Sequence, residues 1–446
     1  MEERLWKACE TGNVQEVEIL LQSSQINVNW ENGPKSSKTP IYVACEFGHI
    51  DIVKLLLNDK RVDINKGDKY IFRTKSKDSQ TPLYVACYNG YIEIVKLLLN
   101  DQRVDINRAA NGRNNVGHAP FYVACYIGYI EIVKLFLNNK RVDVNKADQN
   151  EATPVWVACQ EGRTEVVKIL LHEQRVDVNQ ADKNGETPLY IACEKGRIEI
   201  VKLLLHEQRV DVNQADKYSQ TPLYIACWNG HIEIVKLLLN EQRVDINKGD
   251  KYSRTPFYIA CDHGHIEIVK LLLNGNRVDI RKAVNNGGTS FGTACRRGHL
   301  EIVKMLLNDN RVDTNKGDGT YGWTPFWHAC SEGHIEIAKL LLNDERVYIN
   351  KADKYGKTPF WIACNRERIE IVKYLFACGR EIDIDKKDDS YGRTALEEAK
   401  VLGKTKIVEL IQSFQGNQNG TRTKLRKELG LPGKFILYSH FSLSII

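Results

Sequence analysis

The stretch TPLYIACWNGHIEIVKLLLN at residues 221–240 is almost the same line as TPLYVACYNGYIEIVKLLLN at 81–100, and variants of it recur along most of the chain. An Ala-Cys pair marks each copy. The cysteines concerned are Cys9, Cys45, Cys87, Cys125, Cys159, Cys193, Cys227, Cys261, Cys295, Cys330 and Cys364, and six of their ten spacings are 34 residues. A fixed period of this size signals a stacked array in which each copy is one supersecondary unit. Repetition therefore explains how a chain of 446 residues outgrows the ~250–300 residues at which single cores stop enlarging.

One copy, residues 187–213, shows what each must form. Thr187 is a good N-cap, and Pro188 sits where its fixed φ suits the first helical position and its missing N–H costs nothing. A short helix starts at Pro188 and stops near Gly196, the residue type that ends helices in the left-handed conformation. A second helix runs from about Arg197 to His206, with Ile198, Val201, Leu204 and Leu205 on one face and Ile200 and Leu203 widening the stripe. The connection between copies, RVDVNQADKNGE at 175–186, has no helical period and ends in the turn dipeptide Asn184-Gly185. It reads as a β-hairpin-like finger. A single copy cannot bury enough apolar surface to offset the entropy of ordering it, whereas stacked copies share a continuous core. The recurrent cysteines then act as small hydrophobes on the packed face. Equivalent positions lie one helix layer apart, roughly 8–10 Å, beyond the ~7 Å Cα limit of a disulfide, so reduced thiols are expected.

The pattern TPLY-(V/I)-A-C-x-x-G-(H/Y/R)-I-E-I-V-K-L-L-L resembles the ankyrin repeat, with its Thr-Pro-Leu-His start and Gly-His-(Leu/Ile)-Glu-(Ile/Val)-Val-Lys-Leu-Leu-Leu second half. The resemblance covers residues 2 to about 412, some twelve units, and implies an all-α repeat solenoid of stacked helix-turn-helix units. It departs from the family at two letters. The usual His is aromatic here (Tyr42, Tyr84, Tyr122, Trp156, Tyr190, Tyr224, Tyr258, Trp327, Trp361), and the usual Gly-Ala-Asp turn is Arg-Val-Asp, as at 209–211, with one extra residue per period. The expected layout is a solenoid over 1–412, with polar letters at both ends (Lys7 and Glu16; Glu397, Lys400 and Gln412), and a distinct tail over 413–446. Insertions at 70–79 and 110–118 enlarge two fingers. In repeat nine Ser290, Gly292 and Thr293 replace Pro, Tyr and Val, which predicts a weak or hinge-like interface there.

Composition excludes several classes of function. The chain is 42% hydrophobic and 27% charged, with net charge +6, of which +4 falls in residues 413–446. The remainder is nearly neutral and carries no broad electrostatic footprint for nucleic acid. MEERLWKACE at the N-terminus is no signal pattern, and no apolar run approaches the ~18–20 residues of a membrane span. A cytosolic monomer is expected, with entry to the nucleus left open. Two GKT strings, at 356–358 and 403–405, lack the upstream Gly of a phosphate-binding loop, having Lys351 and Glu398 in its place. Cys-x3-His, as in Cys261/His265, offers two ligands where structural zinc wants four, and is more simply a core thiol beside a turn histidine. The Glu of IEIVK, such as Glu233, pairs with the Lys three residues on. Neither a catalytic constellation nor a cofactor, metal or small-molecule site stands apart from the repeat letters.

What varies within the repeat is the finger tip and the two residues before the Gly that ends the first helix. The resemblance implies that these line a concave face on which protein partners dock. They are Tyr88, Tyr126, Tyr218, Trp228, Tyr252, His263, Arg296, Arg297, Tyr321, Trp323, Tyr355 and Arg366. Tyr, Trp and Arg dominate binding hot spots because they bring large area and a polar handle at modest entropy cost. A non-catalytic scaffold or adaptor is the leading expectation. The alternatives are a targeting arm of a ligase or kinase complex, or a membrane-recruiting module acting through the tail. In that tail a Gly/Asn/Gln start reads as a flexible linker, 421–429 as a short basic helix, and KFILYSHFSLSII as apolar enough to want burial. Docking on the last repeat and the stub of a truncated domain are favoured over contact with a membrane surface.

Overall fold

The computed structural model describes residues 1–33, 37–68, 80–110, 117–275 and 277–432; the insertion at 70–79, residues 111–116 of the next insertion and the apolar tail segment from 434 lie outside them. Among the described residues there are 25 helices and no strand: twelve helix pairs and one further helix, an all-α repeat solenoid. The worked repeat forms as its letters dictate. Its helices span Pro188–Glu194 and Ile198–His206, and the Thr187 hydroxyl accepts from the Tyr190 backbone N–H at 3.1 Å. The same Thr cap starts nearly every first helix; at Ala119 no side chain is present to make it.

The chain divides into two compact units, residues 1–225 with 237–244, and 226–236 with the chain from 245. In the first unit, helices Glu2–Thr11, Pro40–Phe47, Pro82–Asn89, Pro120–Ile127, Pro154–Glu161 and Pro188–Glu194 pack each on the next, and the second helices form a row of their own. The second unit repeats this with Pro256–His263, Ser290–Arg297, Pro325–Glu332, Pro359–Asn365 and Ala395–Val401. The Ala-Cys pairs lie where first helices meet. All twelve cysteines are buried free thiols, and burial pushes Cys9 up to about 12 and Cys45, Cys87 and Cys125 well above the ordinary thiol range.

The fingers close in tight turns, but they are not ladders. Among the described residues one antiparallel bridge, Ala110 to His118, forms within a finger, and neighbouring fingers share single backbone bonds such as Lys217 N–H to Asn184 O at 2.8 Å. Most of the described turns are instead organised by a buried aspartate, as at Asp182, Asp216, Asp250 and Asp353. The Asp216 carboxylate, for example, accepts from the backbone N–H of Tyr218 at 2.9 Å and of Gln220 at 2.7 Å. Charge-assisted bonds of this kind offset much of the cost of burying a carboxylate.

The departures from the family pattern act between repeats. In Arg-Val-Asp, Arg209 donates to Leu171 O at 2.7 Å and Val176 O at 3.0 Å in the preceding repeat. It thereby satisfies a carbonyl at the C-terminal end of helix Thr164–His172, where helical carbonyls lack partners. The following Asn works in the opposite direction. Asn179 Nδ2 donates to Arg209 O at 2.7 Å and its Oδ1 accepts from Asp211 N–H at 2.8 Å, so one amide clips two repeats together. Asn29, Asn65, Asn107 and Asn145 do the same in the first unit. The aromatic that replaces the family's His also reaches across: Tyr42 Oη lies 3.2 Å from Gln80 Oε1, Tyr190 Oη 3.2 Å from Gln220 Oε1, and Trp156 Nε1 donates to Glu186 O at 2.8 Å. The histidines of Cys-x3-His have a mechanical task too. His299 Nε2 lies 3.1 Å from Asp262 O, and the ring packs so close over Gly264 (φ 78°) that a Cβ there would sit 2.6 Å from it.

The tail differs from the linker expected of it. Helix Thr405–Gly416 continues through the first residues of the Gly/Asn/Gln run, because Phe414 stacks on Phe376 with centroids 4.0 Å apart. Asn417 then caps helix Gln418–Glu428, which packs against Ile369–Ala377 and Thr405–Gly416. Two of its basic residues point inward: Arg426 donates to Ala377 O at 2.8 Å and Arg422 to Phe376 O at 3.2 Å, while Glu428 pairs with Lys373. Among the described residues no helix is long and apolar enough to cross a membrane.

Candidate partner-binding surface

Of the twelve surface residues singled out from sequence, the structure brings eight into two clusters, both in the second unit. The first is Trp228, Tyr252 and His263. Trp228 and His263 have ring centroids 4.4 Å apart, and the Arg254 guanidinium lies 5.2 Å from the Tyr252 ring and 5.9 Å from the Trp228 ring. Arg254 is itself held by the buried Asp250 carboxylate at 2.6 Å. The second gathers Arg296, Arg297, Tyr321, Trp323 and Tyr355. Tyr321 stacks on Trp323 at 4.3 Å and tilts toward Tyr355 at 6.3 Å; Trp323 stacks in turn on Trp327 at 4.5 Å and donates to Asp353 Oδ2 at 3.2 Å. Asp262 holds both arginines, at 3.1 Å from Arg296 and 2.8 Å from Arg297, and their charge keeps its carboxyl below the usual range against the opposing effect of burial.

The other four stand separately. Tyr88 is 56% exposed and lies 6.5 Å from Tyr84; Tyr126 is exposed and its carbonyl accepts from Arg163; Tyr218 is exposed with the Lys217 ammonium 5.2 Å from its ring; Arg366 is exposed at the end of helix Pro359–Asn365. Sequence reasoning missed Arg254, Asp262 and His328, each of which fixes or borders a residue it named. The signal for Asp262 was present, as an acid one position after Cys261 facing Arg296-Arg297 one repeat on. Without the stack's register the two could not be matched.

Repeat nine does not have the loose interface expected of it. Helix Ser290–Arg297 packs on Pro256–His263 and Pro325–Glu332 as its counterparts do, because Phe291, Ala294 and Cys295 keep the core letters and Thr293 joins Arg296 and Arg297 on Asp262. The difference is local. Where other repeats hold an aromatic, Gly292 leaves a cavity of about 260 Å³. Where they hold the clipping Asn, the chain has Arg281, whose side chain has no acceptor to offer. His328, at a position that holds Val, Ile or Thr in the other repeats with the Ala-Cys pair after the first, is 8% exposed, and its Nδ1 has no hydrogen-bond partner. Burial, with the Arg296 charge, pushes it down to about 4, so it is neutral at pH 7. Among the described residues no group of three or more His, Cys, Asp and Glu is placed to hold a metal ion.

No curated protein matches the chain. The family of ankyrin repeats, described in blocks of three copies, matches it over residues 2–68, 69–148, 121–216, 208–283, 274–353 and 345–422. Ankyrin repeats are in general protein–protein interaction modules, and the fold is typically non-catalytic. With repeats matched from residue 2 to 422, with capped helix pairs, and with side chains clipping each repeat to the next, the chain belongs to the ankyrin-repeat family.

Proposed function

We propose that this protein is a non-catalytic scaffold or adaptor that binds a protein partner on the face formed by its finger tips and first helices. One observation carries this reading: the Trp, Tyr and Arg side chains at those positions, exposed or half-buried, are already packed against one another. Arg254 lies over both Trp228 and Tyr252, His263 lies against Trp228, and Tyr321, Trp323 and Tyr355 form a second set. Ordering rotamer-rich side chains on binding costs ~0.5–1.5 kcal/mol each, a cost largely met before any partner arrives. The Glu-Lys pairs of the second helices, such as Glu233–Lys236 at 2.7 Å, are exposed ion pairs and supply little by comparison.

The test is affinity capture from lysate with the full chain and with Trp228→Ala, Tyr252→Ala and Trp323→Ala combined. Loss of proteins captured by the parent, with the far-ultraviolet spectrum unchanged, supports the reading; an identical set retained by the folded triple variant rules it out. Removal of residues 433–446, which leaves helix Gln418–Glu428 in place, should change the captured set little, whereas loss of binding to anionic vesicles on that removal would favour membrane recruitment.

A further inference from the structure

Ten of the first eleven repeats have Tyr or Trp at the fourth position of the first-helix start, and the ninth has Gly292. The backbone does not demand this glycine. Gly292 lies inside helix Ser290–Arg297 with no positive φ, and a Cβ there would meet only Thr289 Oγ1 at 3.3 Å and Pro325 Cγ at 4.0 Å. Glycine inside a helix costs ~0.5–1 kcal/mol relative to alanine, so its effect here is to vacate space. The resulting cavity of about 260 Å³ is smaller than the ~300–1,000 Å³ typical of whole-ligand pockets and is the size for a single side chain.

Its lining defines what fits. Aromatic walls come from Tyr258, whose Oη bonds Thr293 Oγ1 at 3.2 Å, and from Trp323, fixed between Tyr321 and Trp327. His328 borders the slot, with its unpartnered Nδ1 buried away from the open space. Around the exposed rim stand Arg296 and Lys316; the Asp318 carboxylate is already occupied by the backbone N–H groups of Tyr321 and Gly322. In ordinary repeats a tyrosine fills the same slot and its hydroxyl finds a polar partner, as Tyr42 does with Gln80. A phenol hydroxyl can donate or accept, so it suits the mixed polar lining of the slot, which includes Asn286, Thr289 and Thr293.

We propose that the slot vacated by Gly292 is an anchor site for a tyrosine side chain of the partner protein, held against Trp323 with its hydroxyl among the polar groups of the lining and flanked by acidic residues facing Lys316. This rests on the scaffold reading and names the chemistry of its partner.

The test needs no identified partner. The peptide acetyl-Glu-Tyr-Glu-amide is titrated into the full-length protein and followed by saturation-transfer NMR, with Phe and Leu versions as controls. Saturation of the tyrosine ring protons, with affinity in the ~1 mM range expected of one small anchor, is the expected result. The order should be Tyr above Phe above Leu. Gly292→Tyr, which restores the regular letter and fills the slot from within, should weaken binding at least about ten-fold while the melting temperature holds or rises. The proposal is overturned if the Tyr peptide does not saturate, if the Leu peptide binds as well, or if Gly292→Tyr binds unchanged. Trp323 lines the slot, so the two readings are separated with Trp228→Ala and Tyr252→Ala alone: peptide binding alongside a double variant that keeps all its partners would leave the slot standing and remove the wider surface, whereas partners lost by the double variant with no peptide binding would remove the slot alone.

Discussion

The repeat that starts at Thr187 and the one that starts at Thr289 share a backbone plan: a threonine-capped first helix, a turn glycine, a second helix and a finger. Between repeats they differ. Around Thr187 every letter that faces a neighbour is engaged: Tyr190 reaches Gln220, Arg209 reaches Leu171 and Val176, and Asn179 clips Arg209 and Asp211. Around Thr289 the ring is absent, Arg281 stands for the clipping Asn, and a buried histidine carries an unmet nitrogen. The Ala-Cys pair and the buried second-helix letters (Ile200, Val201, Leu204 and Leu205; Ile302, Val303, Leu306 and Leu307) are the same in both, so the difference does not lie in whether the repeat folds. It lies in whether groups are left over for another molecule. A repeat scaffold gains a binding site by subtraction at one position while its neighbours hold the register.

The comparison can be broken by exchanging the two conditions. Tyr190→Gly imports the hole into the regular stretch and should cost about 4 kcal/mol, from lost burial, the cavity and helical glycine together. Urea denaturation followed by circular dichroism measures it; a cost under about 1 kcal/mol would mean that the ring is dispensable and that Gly292 has no special meaning. Next in size is the clip. Asn179→Leu removes two inter-repeat bonds and should cost about 2 kcal/mol, whereas Arg281→Asn should add about 1 kcal/mol by creating the missing one. Equal destabilisation by both changes would contradict the clip.

The smallest effect concerns His328. Its folded value of about 4 lies below the ordinary histidine range, so the unfolded chain binds the extra proton first. Its contribution is therefore intact above pH ~6.5 and lost as the pH falls toward 4. His328→Val should raise stability by about 1 kcal/mol at pH 7, by removing an unsatisfied buried nitrogen, and by more at pH 4–5. Melting curves of both proteins across that range should diverge on acidification; parallel curves would mean that the imidazole is hydrated.

Local features were legible in the sequence because their causes lie within a few residues. Thr187-Pro188, the helix-ending glycines and Asn184-Gly185 each act on their own turn. What Asn179 and Arg209 do was not legible, because their partners lie 30 to 38 residues away and only the stacked register brings them together. The tail misled for the opposite reason. Gly416 and Gly420 suggest a linker by composition, yet Phe414 on Phe376 and Arg426 on Ala377 O draw the segment into helices against the repeats. The candidate surface was half legible. Its aromatic and arginine letters were plain, and their grouping by Arg254 and Asp262 was not. Gly292 was visible as an oddity, but a missing side chain has no letter of its own.

The asparagine clip also bears on how such a chain changes over generations. Each clip joins a repeat only to the next, and in the stretch around 145–213 each spans nearly the same number of residues. Slippage in the gene that drops or duplicates one whole period there returns every amide to an equivalent carbonyl, so copy number can drift at little energetic cost. The segment around Gly292 has no interchangeable twin. Lengthening or shortening the array on either side would move that single position along the stack without erasing it.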